Sequence, residues 1–128
     1  MARIQLALNV DDLDAAVGFY SKLFGVSPAK RRPGYANFAI ADPPLKLVLI
    51  EGAGAPGSVN HLGVEVESSD DVAREAQRLA SLDVPTVTEQ QTDCCYAVQD
   101  KVWATAPDGA RWEFYAVLAD SKTRAVCC

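Results

Sequence analysis

Two adjacent cysteines, Cys94-Cys95, stand in the middle of this 128-residue chain, and a second pair, Cys127-Cys128, ends it. A disulfide between chain neighbours must bend the intervening peptide out of its relaxed geometry, so a mutual staple is a poor account of either pair. Two thiolates side by side are a soft, two-pronged donor suited to a thiophilic metal or metalloid. Neighbours on a regular strand point to opposite faces. Cys94 and Cys95 therefore reach one atom only if residues 91 to 95 form a loop, and the polar run EQQTD that leads into them suits one. The plainer reading is two unrelated cysteines, one buried and one not.

Three other residues are suited to a harder ion. His61 is the only histidine, so any imidazole site must use it. Glu113 stands between Trp112 and Phe114 in an apolar run, either as outward alternation or as an inward ligand. Gln5 holds the place in its half that His61 holds in the other. Each has a plainer reading alone: a hydrogen-bonded structural histidine, or polar residues on the solvent side of a strand. Together they offer an O/N/O set of three ligands, which leaves coordination positions open for water, dioxygen or substrate.

The elements that must position these residues occur twice. RIQLALNV reads as a strand, and Asp12 or Asp11 caps a helix with Leu13, Ala16, Val17, Tyr20 and Phe24 at helical spacing. Gly25 ends that helix. Two strands, YANFAI and LKLVLI, follow across an Asp42-Pro43-Pro44 turn. Lys30-Arg31-Arg32, between Pro28 and Pro33, reads as a solvated turn, and GAGAPGS (residues 52 to 58) as a flexible linker. The pattern then restarts. NHLGVEV reads as a strand, and Ser68 or Ser69 caps a helix with Val72, Ala76, Leu79 and Ala80 on one face. CYAVQD, KVWATA and RWEFYAV read as strands, the last two separated by Pro107-Asp108-Gly109. A shift of 56 positions lays Gln5 on His61, Leu6 on Leu62, Val10 on Val66, Asp14 on Asp70 and Leu23 on Leu79 without a gap. Two βαβββ units in one chain are the result.

An apolar fraction of 49% and a charged fraction of 23% suit one globular domain with a real core. The net charge of -5 argues against a nucleic-acid partner, which needs clustered Lys and Arg. MARIQLALNVDD is too short in its apolar run for a signal peptide, and no stretch approaches the ~20 apolar residues of a membrane span. These features predict a cytoplasmic protein, where thiols stay reduced, so the four cysteines are read as free ligands rather than staples.

With those residues in place, LALNVDDLDAAVGFYSKLFG, NHLGVEV and PDGARWEFY resemble the vicinal oxygen chelate superfamily of glyoxalases, bleomycin-resistance proteins and extradiol dioxygenases. The resemblance covers residues 1 to about 120. It implies an α+β fold whose tandem βαβββ modules, about 1–51 and 59–118, form a cup-shaped mixed sheet in a single domain, with 121–128 as a Cys-ended tail. More narrowly, PGYANFAIADPPLKLVLIEG and CCYAVQDKVW are similar to the ArsI C–As lyases and the cadmium-induced CadI proteins. That likeness implies an Fe(II)-dependent dioxygenase, open to other divalent metals, which cleaves the carbon–arsenic bond of trivalent organoarsenicals such as methylarsenite. It implies Gln5, His61 and Glu113 as the catalytic metal ligands, and Cys94 and Cys95 as the substrate-binding thiols. The first-half counterpart of Glu113 falls in LKLVLI and is apolar, in keeping with three ligands. Two alternatives stand beside it: a non-catalytic CadI-like thiol protein binding cadmium or arsenite, and a glyoxalase-type lyase. The chain is expected as a monomer or homodimer. Cys127 and Cys128 are open between a third sulfur, a metalloid carrier and an idle tail.

Overall fold

The structure, a computed structural model, describes residues 2–122. Its chain divides into two compact units, Arg3–Leu62 and Ala2 with the chain from Gly63 onward. The division falls inside a strand and not at the 52–58 segment.

In the first unit, β1 (Arg3–Val10) leads into α1 (Leu13–Phe24), then β2 (Lys30–Arg32), β3 (Tyr35–Ile40), β4 (Leu45–Glu51) and the start of β5 (Val59–Glu65). The strand order is β2-β3-β4-β1-β5. Strands β1 and β4 run parallel, with Gln5 opposite Lys46, while β2-β3 and β3-β4 are antiparallel. Helix α1 starts where the Asp12 carboxylate accepts from Ala15 N at 3.1 Å, and stops where Gly25 takes φ 67°, a left-handed cap that suits a residue without a Cβ. Glu51, at the end of β4, accepts a second first-turn donor, Leu13 N, at 2.8 Å. The helix packs Leu13 and Val17 on Ala36, Phe38, Ile40, Leu47 and Leu49, with Leu6, Leu8 and Val10 of β1 at the margin. Period-two alternation then leaves Gln5, Ala7 and Asn9 for the other face of β1, and all three are buried there.

The second unit takes the rest of β5, α2 (Ser69–Ser81), β6 (Val87–Cys94), β7 (Ala97–Thr105) and β8 (Arg111–Asp120), in the order β5-β8-β7-β6. Helix α2 is capped by Ser68, and packs Val72 and Ala76 on Val66, Val102, Phe114 and Ala116. Within its first turn, Asp71 meets Arg74 at 2.6 Å; that hydrogen bond, then the one from Ser68, holds its pKa below the usual carboxylate value. Its contribution to the helix start is present at neutral pH and is lost as pH falls through that lowered pKa. Here too the face away from the helix carries polar groups: Gln99, Lys101 and Glu113 are all buried.

The chain is thus α+β with two βαβββ units, as the sequence predicts. Four local expectations are corrected. Lys30-Arg31-Arg32 is not a free turn but strand β2: its backbone pairs with β3 while Arg31 and Arg32 stay exposed, and the Arg31 guanidinium meets Asp14 at the start of α1. EQQTD is part of strand β6, whose polar side chains hide the ladder it makes with β7. CYAVQD and KVWATA are not two strands but largely one, β7. Segment 52–58 is no loose linker either. Asn9 N donates to Ser58 O at 2.9 Å and Gly57 N to Asn9 O at 2.8 Å, which ties the loop to the end of β1. Cys127 and Cys128 lie outside the described residues. No helix among those residues is long and apolar enough to cross a membrane.

Replacing Asp12 by Ala removes the α1 cap and is expected to cost about 1 kcal/mol, read as a lower urea midpoint at unchanged slope.

Candidate functional site

Gln5 and His61 meet within the first unit. Both are almost fully buried, at 5% and 3% exposure, and Gln5 Nε2 stands 3.2 Å from His61 Nε2. The positions that coincide under the 56-residue shift are therefore in contact. An amide offers a donor or an acceptor from nearly the same place, so Gln5 is competent either to donate to the imidazole or to present its carbonyl oxygen to a cation. On the other side of the ring, His61 Nδ1 is 2.8 Å from Asn60 Oδ1.

Glu113 belongs to the second unit and points inward, 3% exposed, while Trp112 beside it is exposed. Its Oε1 lies 2.8 Å from the ammonium of Lys101, itself 1% exposed. Alternation places Lys101 and Trp103 of β7 on the same face as Glu113 and Tyr115 of β8, with Lys101 opposite Tyr115 and Trp103 opposite Glu113. The ammonium lies 5.2 Å from the Trp103 ring centre and 5.9 Å from that of Tyr115, so two aromatic faces help replace the water it has lost. Trp103 is held in turn by Glu89, which accepts from its indole at 2.7 Å, and by the Arg111 guanidinium stacked at 4.2 Å. Tyr115 donates to Glu65 at 3.2 Å.

Among the described residues no three His, Cys, Asp or Glu side chains gather as a metal site. Two amides touch His61, Gln5 at Nε2 and Asn60 at Nδ1. An imidazole with amide and carboxylate oxygens suits a divalent first-row ion, so the donor chemistry fits iron.

Cys94 and Cys95 are at the β6–β7 connection, also in the second unit. Cys94 pairs with Ala97, leaving Cys95 and Tyr96 as a two-residue turn with φ of 52° and 62°. Positive φ at both central residues is the mark of a type I′ turn, which ordinarily selects Asn and Gly. Cysteine and tyrosine there put a local cost into the backbone where the sulfurs stand. The expected loop over 91–95 is replaced by this turn and by a bulge at Gln91, φ 47°, whose N–H is taken by Asp100 at 2.7 Å. The buried amide of Gln99 donates to Cys94 O at 2.8 Å and steadies the turn from within. Both cysteines are disulfide-bonded in the structure, where the sequence reading has free thiols. Sequence reasoning missed Lys101 and Asn60. Lys101 carries a signal in retrospect, as a charge at the inward parity of an apolar strand. Asn60 carries none, since nothing in NH marks which neighbour serves the other.

Comparison with known proteins fits this organisation. The family model for the Glyoxalase/Bleomycin resistance protein/Dioxygenase superfamily matches residues 3–114. The cadmium-induced protein CadI of Mycobacterium tuberculosis is 64% identical over 123 residues, covering 96% of this chain and 81% of the relative. A trivalent organoarsenical cleaving enzyme of Thermomonospora curvata is 60% identical over 134 aligned positions, covering 100% of this chain and 89% of that protein. Among solved structures, the 2,3-dioxygenase LapB of Pseudomonas sp. KL28 superposes with a TM-score of 0.70 at 16% identity, over 98% of this chain and 44% of that one, a likeness of fold.

The buried Lys101–Glu113 pair yields a stability prediction. Lys101→Met removes the cation that pairs with a buried carboxylate and is expected to destabilise by about 3–5 kcal/mol in urea unfolding. Adding Glu113→Leu to it recovers most of that loss, because the buried charge is gone.

Proposed function

The chain belongs to the Glyoxalase/Bleomycin resistance protein/Dioxygenase superfamily, and we propose that within it this protein is an Fe(II)-dependent enzyme that cleaves the carbon–arsenic bond of trivalent organoarsenicals such as methylarsenite. The observation that carries this reading is the adjacent cysteine pair at a costly tight turn, in a chain 60% identical to a trivalent organoarsenical cleaving enzyme. In this reading Gln5, His61 and Glu113 are the catalytic metal ligands, and Cys94 and Cys95 take the substrate.

Their roles follow from hardness and burial. Trivalent arsenic prefers sulfur to oxygen, so the reduced Cys94 and Cys95 replace its two hydroxyl groups and release two waters, leaving the arsenic–carbon bond intact. Imidazole, amide and carboxylate are instead the donors suited to iron, which keeps the two centres from competing for one another's ligands. Ferrous iron, when bound, supplies the one-electron chemistry that dioxygen needs. Lys101 holds one oxygen of Glu113, fixing the orientation of the carboxylate and balancing its buried charge.

A second reading is favoured by one observation, the 64% identity to CadI. There the thiols bind cadmium or arsenite without turnover. The two separate in one assay: reduced protein loaded anaerobically with Fe(II) is given methylarsenite and air, and arsenic species are resolved chromatographically. Inorganic arsenite is the product expected of the enzyme, and unchanged methylarsenite that stays protein-bound favours the thiol protein.

Two variants divide the centres. His61→Ala is expected to abolish turnover while leaving anaerobic methylarsenite binding near wild type. The double variant Cys94→Ser, Cys95→Ser is expected to lose that binding, and normal titration by it would remove the thiols from the account.

A further inference from the structure

We infer that Asn60, Asn9 and Ser58 form a one-way hydrogen-bond relay that fixes the ring of His61 with its proton on Nδ1, leaving Nε2 unprotonated as the ligand atom. The inference deepens the proposed function, since it rests on His61 serving as a metal ligand. All its members belong to the first unit.

The direction of the relay is set by a group that has no choice. The carbonyl of Ala55 can only accept, and the Ser58 hydroxyl donates to it at 2.5 Å. A hydroxyl has one proton. With that proton committed, Ser58 Oγ faces Asn9 as an acceptor, so the Asn9 atom 2.9 Å away must be the amide nitrogen. The other Asn9 atom is then the oxygen, and the Asn60 atom 3.0 Å from it must be a nitrogen. That turns Asn60 Oδ1 toward His61 Nδ1, 2.8 Å away, and an oxygen there requires a proton on Nδ1. On the far side of the ring, Gln5 Nε2 lies 3.2 Å from His61 Nε2, an N–H facing the lone pair that this tautomer leaves. Five groups agree on one polarity. A neutral histidine side chain free in water prefers its proton on Nε2, so the relay selects the less favoured form.

The loop is built to permit this. A Cβ on Gly54 would stand 2.7 Å from Asn9 Nδ2 and 3.1 Å from Asn9 Cγ, so only glycine lets residues 52–58 close on that amide. The segment that composition marks as a linker thus supplies both the carbonyl that starts the relay and the gap that admits it.

Because the chain has one histidine, nitrogen-15 labelling gives a single imidazole pattern. Long-range proton–nitrogen spectra of the neutral ring in metal-free protein should show a protonated Nδ1 and an unprotonated Nε2. Asn60→Ala should move the ring toward the Nε2-protonated form and weaken Fe(II) binding, by anaerobic calorimetry, about 10–100-fold. Asn60→Asp, which can only accept from Nδ1, should keep the wild-type tautomer. Gly54→Ala changes no relay member, yet should shift the pattern in the same direction as Asn60→Ala. A wild-type ring protonated on Nε2, or an Asn60→Ala spectrum identical to wild type, overturns the relay. These spectra need no arsenic and no turnover: a protein with the Nδ1 proton but no lyase activity refutes the function and keeps the relay, and the reverse result does the opposite.

Discussion

A strand alternates its side chains between two faces, and here that constraint governs both units. One face of β1 must lie against α1, and Leu6, Leu8 and Val10 answer to it; whatever alternates with them is forced to the other side. That side holds Gln5 and Asn9, buried to the same degree as core residues. A slip of one residue along β4 would bring these amides under the helix and the leucines into the polar layer. The paired run from Ile4–Leu45 to Val10–Glu51 resists it, and Glu51 at its end also ties down the start of α1. The position of Gln5 is therefore a by-product of hydrophobic packing several ångströms away.

Burying so much polar surface is tolerable only where each group has an answer. An unanswered buried amide costs roughly 1–3 kcal/mol, and an unanswered charge more. The two units meet this demand differently. Beneath His61 the answer is a file of neutral groups ending on a backbone carbonyl. Around Glu113 it is an ion pair, with aromatic rings standing in for the water lost by Lys101. A neutral file transmits orientation and an ion pair balances charge, so the two kinds of support suit an imidazole and a carboxylate respectively.

The repeat, the two helices with their caps and the buried strands are legible in the sequence because hydrophobic periodicity and punctuation are local signals. Gln5 and His61 come to notice together through a 56-residue shift visible without coordinates, and Glu113 as a charge between two aromatic residues. Strands β2 and β6 are not legible: both are polar, and their ladder is made by backbone groups that every sequence possesses. Lys101 escapes notice because its partner is twelve residues away on another strand, and Asn60 because its role is decided by Ala55 and Ser58, in a loop whose composition suggests no structure at all. What composition could not convey is that glycine in 52–58 serves close approach as well as freedom.

The turn at Cys95–Tyr96 bears on how this protein could be improved as a material. Placing Asn-Gly at those two positions would relieve the left-handed strain and raise thermal tolerance, by the ordinary logic of turn optimisation. The same exchange deletes one of the two sulfurs. Robustness and thiol chemistry thus compete for a single pair of residues, and stabilising engineering of this fold must look elsewhere along the chain.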